Sequence, residues 1–352
     1  MRSDYILAFG ISCCDVFQEV VWKLKDLDLL KDVLWLISST ECLEKELSEY
    51  FQLEKSYISS NFIGDSGGYA IRVSTFLPNE VPPSLISKCY QLNAFSFGIS
   101  PDAPIGLIPF EDMLDLNKVR FEEFYSLENN HNIPIFDCIH GPIENDNSSY
   151  TLDFRWEWVN MLKTLRGKYS EGYAVSPSLD LPDAVFFYLQ PWSIGAKKLH
   201  LLGKGDIQGI PLYMYLAKKA GLNVTIDAKT YTIDAIKFLR FMIPDENGVP
   251  IGINIGRKKF HKLEAKKLEC PCPVCLHFQD QFRISIYSLA EENFHDRSLD
   301  GSRLLHTWMV CHNIVILQQY QNKLKSFLYQ SRNIFMKYLH KGNSTKLSRP
   351  FV

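Results

Sequence analysis

The sequence predicts an α/β protein: a (β/α)8 barrel of the TIM type followed by a smaller, mainly helical subdomain. Three observations carry that reading. Short apolar, β-branched runs alternate with longer amphipathic ones; eight such runs occur; and the alternation stops after residue 227, giving way to a cysteine cluster and a long helical stretch. Alternation of this kind implies a parallel sheet, and eight units imply closure into a barrel. An open doubly wound sheet is the alternative. It is weakened because no Gly-x-Gly-x-x-Gly follows the first strand.

The elements are expected in this order. Strand Tyr5–Ile11 leads to a helix over Val16–Leu30, and strand Asp32–Ser38 to a helix over Thr40–Leu53. Strand Asn61–Gly64 precedes a helix over Pro83–Leu92, whose Pro82-Pro83 pair suits a helix N-terminus. Strand Ala94–Ile99 precedes helix Phe110–Leu127, strand Ile133–Ile139 precedes helix Tyr150–Leu165, and strand Gly172–Val175 precedes helix Pro182–Leu189. Strand Lys198–Leu202 leads to helix Ile210–Ala220, which Gly221 stops, and Leu222–Ile226 is the eighth strand. Beyond it come an amphipathic helix over Ile233–Met242, a basic stretch Gly256–Lys267, the cysteines, a helix from Arg303 to Leu339 and a polar tail, Lys341–Val352. The expected organisation is a barrel over residues 1–242, a metal-binding subdomain with C-terminal helices over 243–340, and the tail over 341–352.

Composition narrows the function. The chain has 352 residues, 46% hydrophobic and 22% charged, enough for a large core. Its net charge of −2 means that a polyanion would have to meet a local basic patch. No apolar run approaches the ~18 residues of a membrane helix, and the N-terminal apolar run is too short for a signal peptide. A cytoplasmic protein with no membrane partner is expected. Nine cysteines, an odd number, then argue for reduced thiols and a metal rather than disulfides.

The metal ligands cluster in Glu269-Cys-Pro-Cys-Pro-Val-Cys-Leu-His277. Cys270, Cys272 and Cys275 have the spacing C-x-C-x2-C, and thiolates this close suit a tetrahedral ion, by default Zn2+. A fourth ligand is needed, and Cys311, His277, His295, His306 and His312 are the downstream candidates. His277 follows Cys275 too closely for an unstrained chelate, whereas Cys311 and His312 lie on a helix able to fold back. Four protein ligands would close the site, making the zinc structural rather than catalytic.

C-x-C-x2-C followed by a helix carrying His312-Asn313 resembles the zinc subdomain of the tRNA-guanine transglycosylase superfamily, whose members exchange guanine in a polynucleotide for a 7-deazaguanine such as preQ0 or a queuosine precursor. The resemblance assigns His312 as fourth ligand; a longer spacer, with Glu291–Gly301 looking inserted, leaves His306 as competitor. It extends upstream. Asp65-Ser66-Gly67-Gly68-Tyr69, after the third strand, is similar to the family's Asp-Ser-Gly-Gly-aromatic segment. Alone it also reads as a good turn. Asp227-Ala-Lys-Thr-Tyr231, ending the eighth strand, is similar to the archaeal-type form of the family's nucleophile segment, although an Asp here would also cap a helix.

The resemblance implies the chemistry. Exchanging a base without cutting the backbone requires the bond at C1′ to be broken and remade. Two carboxylates flanking it suffice, as in retaining glycosidases. Asp227 would attack C1′ and hold the covalent intermediate; Asp65 would protonate the departing guanine and deprotonate the incoming base. Tyr69 would stack on the flipped purine, with Leu202 before Gly203 as the opposite wall, resembling the family's Leu-Met-Gly-x-Gly segment. Asp102 would read the purine edge beside Ser66, Gly67 and Gly68; Asp137 competes for that role, but its place inside a strand favours a structural one. Two positions depart from the family: His140-Gly141 stands where Gln-Gly is usual, and Ser176-Pro177 where Gly-Gly is usual. His140 can replace one donor, while Pro177 removes a backbone N–H.

The divergent N-terminus and altered pocket look more like the superfamily's DNA branch than its tRNA enzymes, and a homodimer or partner proteins are left open. Arg257, Lys258 and Lys259 are the expected phosphate contacts, with a solvated lysine face as the equally good bland reading. A catalytically silent member, serving as a nucleic-acid-binding or heterodimer partner subunit, is the alternative function; the retention of both acids argues against it. An unrelated (β/α)8 hydrolase with a zinc-braced tail is a third.

Overall fold

In a computed structural model the chain is described at residues 5–68, 78–102, 110–127, 133–140, 152–175, 190–203, 207, 209–228, 235–236, 239–255, 270–282 and 299–330. Eight strands close a barrel in sequence order: β1 (Tyr5–Ile11), β2 (Leu34–Ser38), β3 (Phe62–Asp65), β4 (Phe97–Ile99), β5 (Ile135–Ile139), β6 (Gly172–Val175), β7 (Lys198–Leu201) and β8 (Asn223–Ala228). Each successive pair is parallel. The expected (β/α)8 barrel is therefore the fold. The connecting helices are α1 (Asp15–Asp26), α2 (Ser39–Cys42), α3 (Leu47–Phe51), α4 (Lys55–Asn61), α5 (Pro83–Asn93), α6 (Phe110–Ser126), α7 (Leu152–Arg166) and α8 (Ile210–Ala220). The expected helix Pro182–Leu189 lies outside the described residues.

Two local expectations fail. The continuous helix over Thr40–Leu53 is two short helices, α2 and α3, with α4 as a third before β3. The charged run Glu44-Lys45-Glu46 separates the first two, and Gln52, in the left-handed region with φ 55°, ends the second. The Leu47 N–H is satisfied by Asn93 Oδ1 at 2.8 Å rather than by a preceding turn of helix. The second failure is Ile233–Met242, whose end is not helical. Residues Arg240–Pro244 form β9, paired antiparallel with β10 (Pro250–Asn254). Pro244 and the turn after it explain the difference. Asp245 Oδ1 accepts from the N–H groups of Asn247 and Val249, both at 2.8 Å, and Gly248 takes φ +79°.

The chain divides into two compact units. One comprises Met1–Ser12, Leu34–Lys204 and Tyr213–Asp227; the other comprises Cys13–Val33, Gly205–Leu212 and Ala228–Val352. In the second, α9 (Pro273–Phe282) and α10 (Leu299–Gln330) accompany the β9–β10 hairpin and α1. Among the described residues no helix is long and apolar enough to cross a membrane.

Alternation along the strands decides what enters the barrel. Ala8, Leu34, Leu36, Ile63, Phe97, Ile99, Phe136, Cys138 and Ala174 form one buried cluster, with Ile6 and Leu202 packed on it. Phe97 and Phe136 stack at 4.0 Å between ring centroids. Asp137 has the opposite parity from Phe136 and Cys138 and points out of the barrel, toward α6 and α7. There its Oδ1 accepts from Tyr125 Oη at 2.5 Å and Arg166 Nη1 at 2.7 Å. Its role is structural. Arg166→Ala would leave that carboxylate buried without its cation; a loss of about 3–5 kcal/mol in denaturant unfolding is expected.

Candidate active site

Because the eight strands are parallel, their C-terminal ends open on one face. Asp65 closes β3, two residues past the interior Ile63, so it shares Ile63's inward parity. His140 follows Phe136 and Cys138 in the same way. On β8, Thr225 touches His200 (Oγ1 to Nδ1, 2.7 Å), whose ring meets interior Phe97 at 5.9 Å between centroids. Asp227 is the next inward position. Asp65 and Asp227 thus both enter the barrel at its C-terminal rim, and both are buried, at 9% and 4% exposure.

The third and fourth strand ends are tied together. Tyr90, from α5, places its Oη 2.9 Å from the Gly64 carbonyl and 2.8 Å from the Ile99 carbonyl. Burial pushes the Tyr90 phenol up, and the charge of Asp65 adds to it. The loop after β3 is closely fitted. Ser39 Oγ donates to the Ser66 carbonyl at 3.0 Å. Gly67 takes φ +89°, and a Cβ on Gly68 would fall 2.5 Å from Asp102 Oδ2. The first glycine is required by conformation and the second by close approach.

Asp102, past the end of β4, is the hub. Ser66 Oγ donates to its Oδ1 at 2.5 Å, and His140 Nε2 lies 2.8 Å from its Oδ2. Burial raises its pKa, but the hydrogen bond and charge of His140, the Ser66 hydroxyl and the more distant Arg120 outweigh that, holding Asp102 below the usual carboxylate value. His140 is fixed in turn by Trp158 of α7, whose ring meets it edge-on at 5.3 Å and whose Nε1 donates to the Cys138 carbonyl at 2.9 Å. Burial, then the charges of Asp102 and Asp65, push the Cys138 thiol well up, so it stays neutral between them. Asp102, Cys138 and His140 offer metal-type ligand atoms within 4.8 Å of one another. Both Asp102 oxygens already have partners, so hydrogen bonding accounts for the grouping.

Across the mouth, Asp227 Oδ1 accepts from the Gly203 N–H at 2.5 Å, and His200 Nε2 lies 3.5 Å from the same oxygen. Gly203 has φ +65°, in the left-handed region that favours glycine. Leu202 is half-buried beside it. The structure therefore gathers Ser66, Gly68, Asp102 and His140 into one network and Leu202, Gly203 and Asp227 into another. Tyr69, Ser176, Arg257, Lys258 and Lys259 lie outside the described residues. Sequence reasoning missed His200, Tyr90 and Trp158. Of these His200 was open to discovery, since it lies two residues before Leu202 and so has the same inward parity.

The second unit holds a candidate metal centre. Cys270, Cys272, Cys275 and His312 are buried, and their ligand atoms lie within 4.8 Å of one another. That spread fits a tetrahedral ion with Zn–S about 2.3 Å and Zn–N about 2.0–2.1 Å. His312 Nδ1 is 3.3 Å from both Cys272 Sγ and Cys275 Sγ. Its Nε2 lies 2.6 Å from the Met242 carbonyl, which fixes Nε2 as donor and leaves Nδ1 as the ligand. The ring stacks on Phe241 at 3.8 Å. Hydrogen bonds from Cys272 and Cys275 hold the Cys270 thiol far below its usual range, so at least one thiolate is favoured before any ion binds. The competing ligands are placed elsewhere: Cys311 Sγ lies 3.7 Å from the Val20 carbonyl of α1, and neither His277 nor His306 belongs to the cluster.

No protein-family model and no curated protein matches the chain. Among solved structures it is similar to a protein from Coccidioides immitis assigned as a fructose-1,6-biphosphate aldolase. The identity is 10%, covering 91% of this chain and 93% of that one, with a TM-score of 0.41. A likeness at this level carries nothing about substrate or reaction.

Proposed function

We propose that the protein is a guanine transglycosylase that exchanges guanine in a polynucleotide, DNA before tRNA, for a 7-deazaguanine. The observation that supports this best is the pair of buried acids at the ends of β3 and β8, both entering one barrel mouth. Asp227, anchored through Oδ1 by a backbone N–H, keeps its other oxygen for attack on C1′. The bond to guanine breaks as that attack proceeds, and Asp65 supplies the proton the departing base needs. The incoming base then displaces Asp227 while Asp65 takes its proton. Next to Asp65 in the chain, Ser66 joins the Asp102–His140 network, which would offer a polar edge to a flipped purine. Cys270, Cys272, Cys275 and His312 would hold a zinc ion whose contribution is to fold the second unit.

Labelled guanine placed in duplex DNA and, separately, in tRNA tests the reading. Release of label on addition of a 7-deazaguanine, faster from DNA, is expected. Release from neither polymer, with retained nucleic-acid binding, would assign the chain to a silent partner subunit instead.

A further inference from the structure

His200 has no part in the resemblance, yet it is fully buried and directed at the proposed nucleophile. Its Nε2 makes no hydrogen bond within the usual limits and lies 3.5 Å from Asp227 Oδ1. Its Nδ1 lies 2.7 Å from Thr225 Oγ1, and that hydroxyl is also 3.4 Å from the Leu199 carbonyl. A bare Nε2 lone pair facing a carboxylate would be repulsive, and a buried ring nitrogen needs a partner. Thr225 permits either remaining arrangement. Its hydroxyl can donate to Nδ1, leaving a neutral ring with Nε2–H, or turn to the Leu199 carbonyl and accept from Nδ1–H of an imidazolium. In both, Nε2 carries a proton aimed at Asp227.

We propose that His200 is a positioning residue that holds its Nε2 proton against Asp227 Oδ1. Together with the Gly203 N–H it occupies that oxygen, so that Oδ2 is the atom that attacks. The inference rests on the transglycosylase reading. In the first half-reaction an Oδ2 electron pair forms the bond to C1′, the C1′–N bond breaks onto guanine, and Asp65 protonates it. In the second, the incoming base nitrogen bonds C1′, the C1′–Oδ2 pair returns to Asp227, and Asp65 takes the proton. The Nε2 proton stays on His200 throughout. It stabilises the carboxylate more than the ester, and so favours release of the sugar from Asp227.

The test measures both half-reactions in single turnover with His200→Leu, which removes the Nε2–H donor that Gln would replace with its own amide N–H. Adduct formation should be unchanged or faster and adduct breakdown slower by about tenfold or more, so that adduct accumulates. A merely structural histidine would slow both steps together, and that result overturns the proposal, as does an unaltered ratio. Absence of adduct in the unmodified protein would instead remove the transglycosylase reading. A second measurement does not depend on activity or on the folding of His200→Leu. In 15N-histidine-labelled protein the His200 signal, identified by its change in Asp227→Asn, should show a protonated Nε2; a bare Nε2 overturns the proposal.

Discussion

Asp227→Ala is expected to abolish the covalent protein–nucleic acid adduct and to lower base exchange by on the order of 10⁴-fold or more. The effect is large because Asp227 is the only inward side chain of β8 at the rim beyond Thr225, and the Gly203 N–H is committed to it. The substitution leaves that N–H without its acceptor, but Gly203 is exposed and water can replace it, so the cost in stability should be small. The barrel should survive this, so circular dichroism and thermal unfolding will separate lost chemistry from lost fold. The measurement is a denaturing gel of the protein incubated with guanine-containing DNA and a 7-deazaguanine. A band shift that persists in Asp227→Ala would mean that another group is the nucleophile.

The second large effect is expected at the cysteines. Cys272→Ala removes one of four ligand atoms that crowd within 4.8 Å of one another, and zinc content measured on the purified protein should fall close to nothing. Unchanged zinc would show that Cys272 is not a ligand. The structural consequence should be confined to the second unit at first. His312 joins α10 to β9 through the Met242 carbonyl, and Asn313 beside it accepts from the Met242 N–H at 3.0 Å and donates to the Arg240 carbonyl at 3.1 Å. If these four residues hold zinc as proposed, removing the ion would take away the common partner that ties the cysteine thiols to His312. Structural zinc supplies about 10–16 kcal/mol of apparent binding energy in small domains. A chelator should therefore reproduce the variant's lowered melting transition in the unmodified protein, and zinc should reverse it.

Many of the elements are legible in the amino-acid order, and for identifiable reasons. Tyr5–Ile11, Gly172–Val175 and Ile210–Ala220 coincide with the observed elements because their periodicity and their Gly and Pro boundaries are local properties. Thr40–Leu53 and Ile233–Met242 depart from expectation where a non-local partner wins. Asn93 takes the Leu47 N–H, and β10 pairs with residues that are amphipathic enough for a helix. The ligand set shows the same division. Three cysteines in six residues mark a candidate metal site from spacing alone. Choosing among His277, His306, Cys311 and His312 needs the direction in which α9 turns the first and α10 turns the other three.

At the mouth, neighbouring residues specify which strand ends bear carboxylates and which loop must carry paired glycines, and the count of apolar runs specifies eight units. Those features are written in short segments and in a two-residue period. That Asp102 binds Ser66 and His140, that Asp137 faces the helices, and that His200 meets Asp227 is settled by folding. Those pairings join residues on different elements of the barrel. Barrel closure and strand register bring them together, and neither has a signature in any single segment of the chain.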